Sequence, residues 1–305
     1  MGHDRVWIGP GPGQDGARTG QDEFSQLSAV DATLTFLGTG TSMGVPTVGC
    51  TCAVCRSADP RDRRLRPSVL VRWTESGVEP RSRAVLIDTG PDFRQQALRA
   101  GIAHLDAVLY THSHADHILG MDDLRPLSFI AQHAGGPIPL YASNETAAVL
   151  ERVYDYTFSP EATYATRARV EICPLGERTE IHGVDFIHVP VLHGEMPVAG
   201  FRFGDTAYLT DVSKIPESSF ALLEGVRTLV LPALRHKPHP THATVEQAVA
   251  WAQRIGARQT WLTHIAHELG HEETDRILPE NVRMAWDGLE VPVRLHHAAG
   301  EEHRA

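Results

Sequence analysis

Residues 107–120 read AVLYTHSHADHILG: an apolar run, then three histidines and an aspartate within six positions. AVLY has the length and β-rich character of a buried strand. On a helix, residues two apart point away from one another, so His112 and His114 converge only if the chain is extended beyond that strand end. Asp116 and His117, at the start of a predicted helix over HILGMDDL, then face the same cavity from the other side.

Other ligand-type residues close apolar runs further along: His193 ends VPVLH, Asp211 ends AYLTD and His264 ends TWLTH. Imidazoles and carboxylates together suit zinc, manganese or iron, and a two-metal site needs about seven such ligands with one carboxylate shared. The strand-like runs begin at Thr33 and include TLTFLG, SVLVRW, AVLIDTG, VDFIHVPVLH and TLVLPAL. Between them lie helical patterns such as PDFRQQALRAG, NETAAVLERVYDYT and TVEQAVAWAQRIGA, the first with Pro at its start and Gly after its end. This alternation predicts an α/β protein. Residues 1–30, rich in Gly, Asp and Gln, are expected to be a flexible leader, 31–297 one catalytic domain, 298–305 a short tail, and 56–67 a loop.

The chain has 305 residues, enough for one large core, and its 28 Lys and Arg against 38 Asp and Glu leave a net charge of −10. That charge argues against a general affinity for nucleic acid or anionic lipid. No apolar run approaches the roughly 20 residues needed to span a bilayer, so a cytoplasmic protein is expected. Of four cysteines, three are bunched as Cys50, Cys52 and Cys55, a pattern of metal binding more than of a disulfide framework. Cys173 reads as an inert core residue.

The HSHADH motif, with His193, Asp211 and His264 following in order, resembles the signature of the metallo-β-lactamase superfamily, over nearly all of residues 33–293. The resemblance implies an αββα sandwich, two mixed sheets flanked by helices, with a dinuclear metal site. It implies that His112, His114 and His193 hold one divalent metal, that Asp116, His117 and His264 hold the other, and that Asp211 bridges them. Zinc and manganese both suit this set. Asp88, ending AVLIDTG, corresponds to a carboxylate that orients a metal-binding histidine.

TFLGTGTSMGVPTVGCTCAVC, residues 35–55, resembles the N-terminus of the phosphoribosyl 1,2-cyclic phosphate phosphodiesterase family. There a CxCxxC loop and a distant histidine hold a structural zinc, which by position implies Cys50, Cys52, Cys55 and His267; His271 is then a spare, exposed residue. THATVEQA resembles the segment that phosphodiesterases of the superfamily place beside the scissile phosphate, which puts His242 there, a histidine titrating near neutrality, to bind a phosphate oxygen or protonate the leaving oxygen. His242 and Asp116 are thus the expected catalytic residues. WDGLEV near the C-terminus is expected to be architectural.

These resemblances imply a phosphodiesterase that opens a small cyclic phosphate diester through a metal-bridging hydroxide, with a small-molecule partner and a possible homodimer. Arg235, His236, Lys237 and His239 lie in one loop that offers either a local basic pocket for the substrate or a solvated charge run, and Arg125 offers a further contact, although a salt bridge to Asp122 or Asp123 competes for it. Alternatives on the same scaffold are hydrolysis of another ester, thioester or lactone, and a non-catalytic relative of the pyrroloquinoline quinone biosynthesis type. The tRNA 3′-processing relatives carry an arm between the ligands corresponding to His193 and Asp211. Here these are only 18 positions apart, which leaves room for a hairpin.

Overall fold

A computed structural model describes residues 29–75, 79–134, 136–161 and 166–296. The expected leader falls outside them except for its last two residues, which open the first strand, and the expected tail falls outside them entirely.

Two seven-stranded sheets form the centre. The first contains β1 (Ala29–Gly38), β2 (Ser68–Glu75), β3 (Arg81–Ile87), β4 (Ala107–Leu109), β5 (Ile138–Ala142), β6 (Val170–Pro174) and β14 (Glu290–His296), in the order β14-β1-β2-β3-β4-β5-β6. The second contains β7 (Arg178–Ile181), β8 (Val184–His193), β9 (Met196–Phe203), β10 (Thr206–Tyr208), β11 (Thr228–Pro232), β12 (Gln259–Thr263) and β13 (Val282–Met284), in the order β13-β12-β11-β10-β9-β8-β7. Each sheet is antiparallel on one side and parallel on the other: β3 to β6 run parallel, as do β10 to β13.

Strands covered on both faces need apolar side chains on both, and β3 answers with a run in which Ala84, Val85, Leu86 and Ile87 are all buried. Val85 and Ile87 turn inward, joining Leu34, Phe36, Val69 and Val71 against Phe186, Phe201, Phe203 and Tyr208 of the other sheet. Leu86 and Leu70 turn outward under α1 (Phe93–Arg99), the short α2 (Ala115–Ile118) and α4 (Asn144–Val153), which follows α3 (Arg125–Ala134). The second sheet is covered in the same way by α6 (Glu217–Leu222) and α7 (Val245–Ile255), after a short α5 (Asp155–Phe158) and before α8 (His271–Ile277). The layers are therefore helix, sheet, sheet, helix, one of the few ways to bury both faces of two sheets.

The strands missed by the sequence reading are short or interrupted: β5 and β6 contain proline, and β9 contains Pro197 and Gly200. Cys173 is not a core residue. It lies on β6, at the rim of the first sheet, and is only half-buried because that strand has a neighbour on one side alone.

Candidate metal centre

Asp88, Thr111, Asp211 and His264 each lie just past the carboxyl end of a parallel strand (β3, β4, β10 and β12), where open α/β sheets place their chemistry. Asp88, Asp211 and His264 adopt left-handed backbone angles, with φ of 65°, 53° and 55°. Residues other than glycine adopt such angles at a cost of the order of 1–3 kcal/mol, and sites that need a side chain aimed in one direction are where that cost is tolerated.

Two glycines bring the Asp88 turn against α2. A Cβ on Gly90 would stand 2.2 Å from the Asp116 carbonyl oxygen, and one on Gly120 would stand 2.0 Å from that of Gly90. The close approach lets Thr89 N–H donate to the His117 carbonyl at 2.8 Å, and lets His117 Nδ1 reach Asp88 Oδ2 at 2.7 Å. Asp88 also accepts from the Thr111 amide and hydroxyl, both at 2.8 Å. With its proton given to Asp88, the Thr111 oxygen accepts from His112 Nδ1 at 2.9 Å. A third cage histidine, His193, donates from Nδ1 to the Thr241 carbonyl at 2.7 Å. His112, His117 and His193 are thus all fixed as Nδ1–H tautomers whose Nε2 lone pairs face inward, the arrangement a metal-binding imidazole requires.

The inward atoms converge. His117 Nε2 lies 3.1 Å from Asp211 Oδ2 and 3.3 Å from Asp116 Oδ2, and His264 Nδ1 lies 3.2 Å from Asp211 Oδ2. Asp116, His117, Asp211 and His264 form one ligand-type group, with its donor atoms within 4.8 Å of one another. On its other side His112 Nε2 and His114 Nδ1 stand 3.0 Å apart, with the His193 ring 5.9 Å and 5.2 Å from theirs. The tightest trio about His193, however, consists of His193, Asp211 and His242.

His117 Nε2, both ring nitrogens of His264 and His242 Nδ1 are buried without a hydrogen bond. Buried polar atoms are rarely left so, because each costs about 1–3 kcal/mol. Four at one point fit a site shaped for cations. The charges agree: burial works to raise Asp116 and Asp211, but neighbouring imidazoles outweigh it and hold both carboxylates in the anionic form. Burial lowers His117 too, yet Asp116, Asp211 and Asp88 around it carry it well above the usual histidine value.

His242 was expected to titrate near neutrality. Burial, reinforced by His264, pushes it down to about 3, so its imidazole is neutral at pH 7.

A second cluster lies nearby. Cys50, Cys52 and Cys55 place their sulfurs 3.1, 3.5 and 3.5 Å from His267 Nδ1. Ligands 2.0–2.3 Å from a tetrahedral zinc stand roughly 3.6 Å from one another, so the four atoms fit a closed site. The Cys55 amide donates to Cys52 Sγ, which is the largest cause holding that thiol down to about 6. The loop expected over 56–67 contains what the sequence reading missed: Arg64, wholly buried, which pairs with Asp62 at 2.8 Å and donates to the Ala266 and Leu269 carbonyls. His271 is buried and not exposed, because its amide donates to Asp62 and its ring packs beside Trp286. Asp287 of WDGLEV is architectural: it accepts from the Thr39 amide and hydroxyl and from the Leu65 amide.

The structure does not bring three expected substrate contacts into the cage. Arg125 lies 3.7 Å from Asp122, His236 is paired with Glu246 at 2.6 Å, and Lys237 points to an exposed surface.

Comparison with known proteins agrees with this geometry. Residues 83–265 match the family model of the beta-lactamase superfamily domain. The crystal structure of a diphosphatase from the PhnP family is 51% identical and superposes with a TM-score of 0.80, covering 88% of this chain and all of the other. An octanoyltransferase of Porphyromonas gingivalis is 38% identical over 259 residues, 84% of this chain but 50% of that protein, so the chain spans about half the length of this relative. A ribonuclease Z of Mycobacterium bovis is 28% identical over 240 residues, 69% of this chain and 83% of that one. Among the described residues no helix is long and apolar enough to cross a membrane. With its sandwich fold and its convergent histidines and carboxylates, the chain belongs to the PhnP family of the beta-lactamase superfamily and is a metal-dependent hydrolase.

Proposed function

We propose that the chain hydrolyses a P–O bond in a small phosphodiester, a five-membered cyclic phosphate being the first candidate. The observation that carries this reading is His242, a neutral imidazole 13% exposed, with Nδ1 3.8 Å from Asp211 Oδ1 and its ring 4.5 Å from that of His193. A neutral N–H at the edge of a carboxylate and histidine cage is a donor suited to a phosphate oxygen.

In this reading His112, His114 and His193 would hold one divalent cation and Asp116, His117 and His264 another, with Asp211 shared. When bound, such a pair supplies a water acidic enough to attack near pH 7 and positive charge for the phosphate oxygens. The chain's own residues do the rest. Asp88 and Thr111 lock the tautomers of His117 and His112, and the Thr241 carbonyl locks His193. His242, neutral at working pH, donates a hydrogen bond to a non-bridging oxygen instead of carrying a positive charge of its own. The Cys50, Cys52, Cys55 and His267 cluster would take a structural zinc.

A second reading is a diphosphate substrate, favoured by the 51% identity to a PhnP-family diphosphatase. The same cage serves both, since each reaction adds water to phosphorus and expels an oxygen leaving group. A tRNA substrate is disfavoured, because β9, β10 and the turns that pair them with β8 and with each other use up the residues between His193 and Asp211.

The test is hydrolysis of phosphoribosyl 1,2-cyclic phosphate or a 2′,3′-cyclic nucleotide by metal-loaded protein beside its Asp211→Ala and His242→Ala variants. Turnover should vanish with Asp211→Ala and fall by roughly 10²- to 10³-fold with His242→Ala, the loss of one hydrogen-bond donor to the transition state. Full activity in Asp211→Ala would sink the shared-carboxylate assignment. No turnover of any phosphate ester by the metal-loaded protein would point instead to ester or thioester hydrolysis.

A further inference from the structure

One histidine beside the cage has a fixed donor with nothing to bind. The Thr241 amide donates to His239 Nδ1 at 3.3 Å, and the Thr241 hydroxyl lies 3.2 Å from the same atom. An amide N–H only donates, so Nδ1 is an acceptor and the ring proton of neutral His239 sits on Nε2. That Nε2–H makes no hydrogen bond to any described residue.

The position of the ring gives the donor its direction of use. His264, His242 and His239 form a row, with centroids 4.8 Å and then 5.0 Å apart, that runs from a fully buried ring through one 13% exposed to one at the half-buried rim. His242 lies nearer Asp211, and His239 is one ring further out. The row is held from the same residue that fixes the cage, because the Thr241 carbonyl accepts from His193 Nδ1. Thr241 itself has little freedom: a Cβ on Gly194 would come within 3.0 Å of its methyl group. Behind His239, Arg235 is paired with Glu268 at 3.1 Å, and burial together with the Arg235 charge lowers His239 below the usual histidine value.

We propose that His239 is a substrate-binding residue whose Nε2–H holds the phosphoryl group next to the scissile one, so that the preferred substrates are diphosphate-linked. This rests on the phosphate reading above and selects between its two substrate classes. A phosphate held by His242 over the cage places a directly attached second phosphoryl group outward, where His239 waits. A substrate with a single phosphorus leaves that donor unused.

Two amide substitutions separate the donor from the scaffold. His239→Asn puts an acceptor where Nδ1 stood, keeping Thr241 satisfied, and removes the Nε2 donor. His239→Gln restores an N–H at the Nε2 position. With ADP-ribose as the diphosphate substrate, His239→Asn should raise KM on the order of 10-fold at nearly constant kcat, the loss of one hydrogen bond to a charged group, and His239→Gln should recover most of it. With bis(p-nitrophenyl) phosphate neither variant should move KM. Equal KM increases on both substrates would assign His239 to loop support, and an unchanged KM for ADP-ribose would also overturn the proposal. If the wild-type protein hydrolyses neither compound and no cyclic phosphate either, the phosphate reading itself fails. Calorimetric affinities of ADP and AMP for the metal-loaded protein then decide the role of His239: His239→Asn must lose a wild-type preference for ADP, and no preference, or an unchanged one, overturns it.

Discussion

At the residue scale, the centre depends on carboxylates that touch no substrate. Asp88 accepts three hydrogen bonds, from the Thr111 amide, the Thr111 hydroxyl and His117 Nδ1, and through them sets the tautomers of two cage histidines. Asp88→Asn, which presents an N–H where His117 needs an acceptor, should cost roughly 10- to 100-fold in metal affinity, read by competition with a chelator. Unaltered affinity would mean that the tautomers are fixed elsewhere. Protons move with the metal. Because its three carboxylate neighbours outweigh burial and raise His117 well above the usual value, chelator-stripped protein holds a second proton on that ring to higher pH than an ordinary histidine would, and ligation must compete with it. Affinity for the catalytic metals should therefore rise with pH, and calorimetry in buffers of different ionisation enthalpy should show proton release.

At the element scale, the segment 239–244 has two tasks. It carries Thr241 and His242 into the cage, and it ends in a helix cap: Thr244 Oγ1 accepts from the Gln247 amide while Gln247 Oε1 accepts from the Thr244 amide. Gly256, with φ of 74°, closes α7 at the other end. Thr244→Ala should cost about 1 kcal/mol of stability in denaturant titrations. It should also lower turnover, because the cap sits two residues from His242. A stability loss with unchanged kinetics would show that the cage holds His242 without help from the helix.

For the whole molecule, the two sheets meet in an apolar core, but the cage lies where their strand ends open to solvent, so something other than apolar burial must hold that end. The cysteine cluster does this by joining residues 50–55 to His267, three residues beyond His264, and Arg64 reinforces it through the Ala266 and Leu269 carbonyls. Cys52→Ser should therefore lose one zinc per chain and melt at lower temperature before it loses chemistry at low temperature. An unchanged metal count and Tm would refute the cluster's role. Zinc uptake by stripped protein should weaken as pH falls, first because the Cys55 thiol, raised by burial, competes for its proton, and further as pH passes through about 6, where Cys52 is protonated as well, since the ligating form is the thiolate.

HSHADH with three later ligand-type residues at strand ends, and the CxCxxC loop, were readable from the chain alone as candidate metal-binding groups that the fold brings together, because metal ligation demands particular donor atoms and the pattern of a strand followed by such a residue is local. The helices around PDFRQQ and TVEQAV were legible for the same reason: caps and 3.6-residue periodicity are short-range. Short strands such as β5, β6 and β13 were not legible, since their stability comes from neighbours far away in sequence. Only the tertiary structure decided that His271 is buried, that Arg64 lies inside a loop of charged residues, and that Arg125 and His236 turn to carboxylates outside the cage. It also decided that His242 is neutral, because a pKa depends on burial and on the charges brought alongside, and that His239 stands next to it with Nδ1 accepting from the Thr241 amide. Donor identity is written in the sequence; which lone pair faces which cavity is set by hydrogen bonds between segments that meet only on folding.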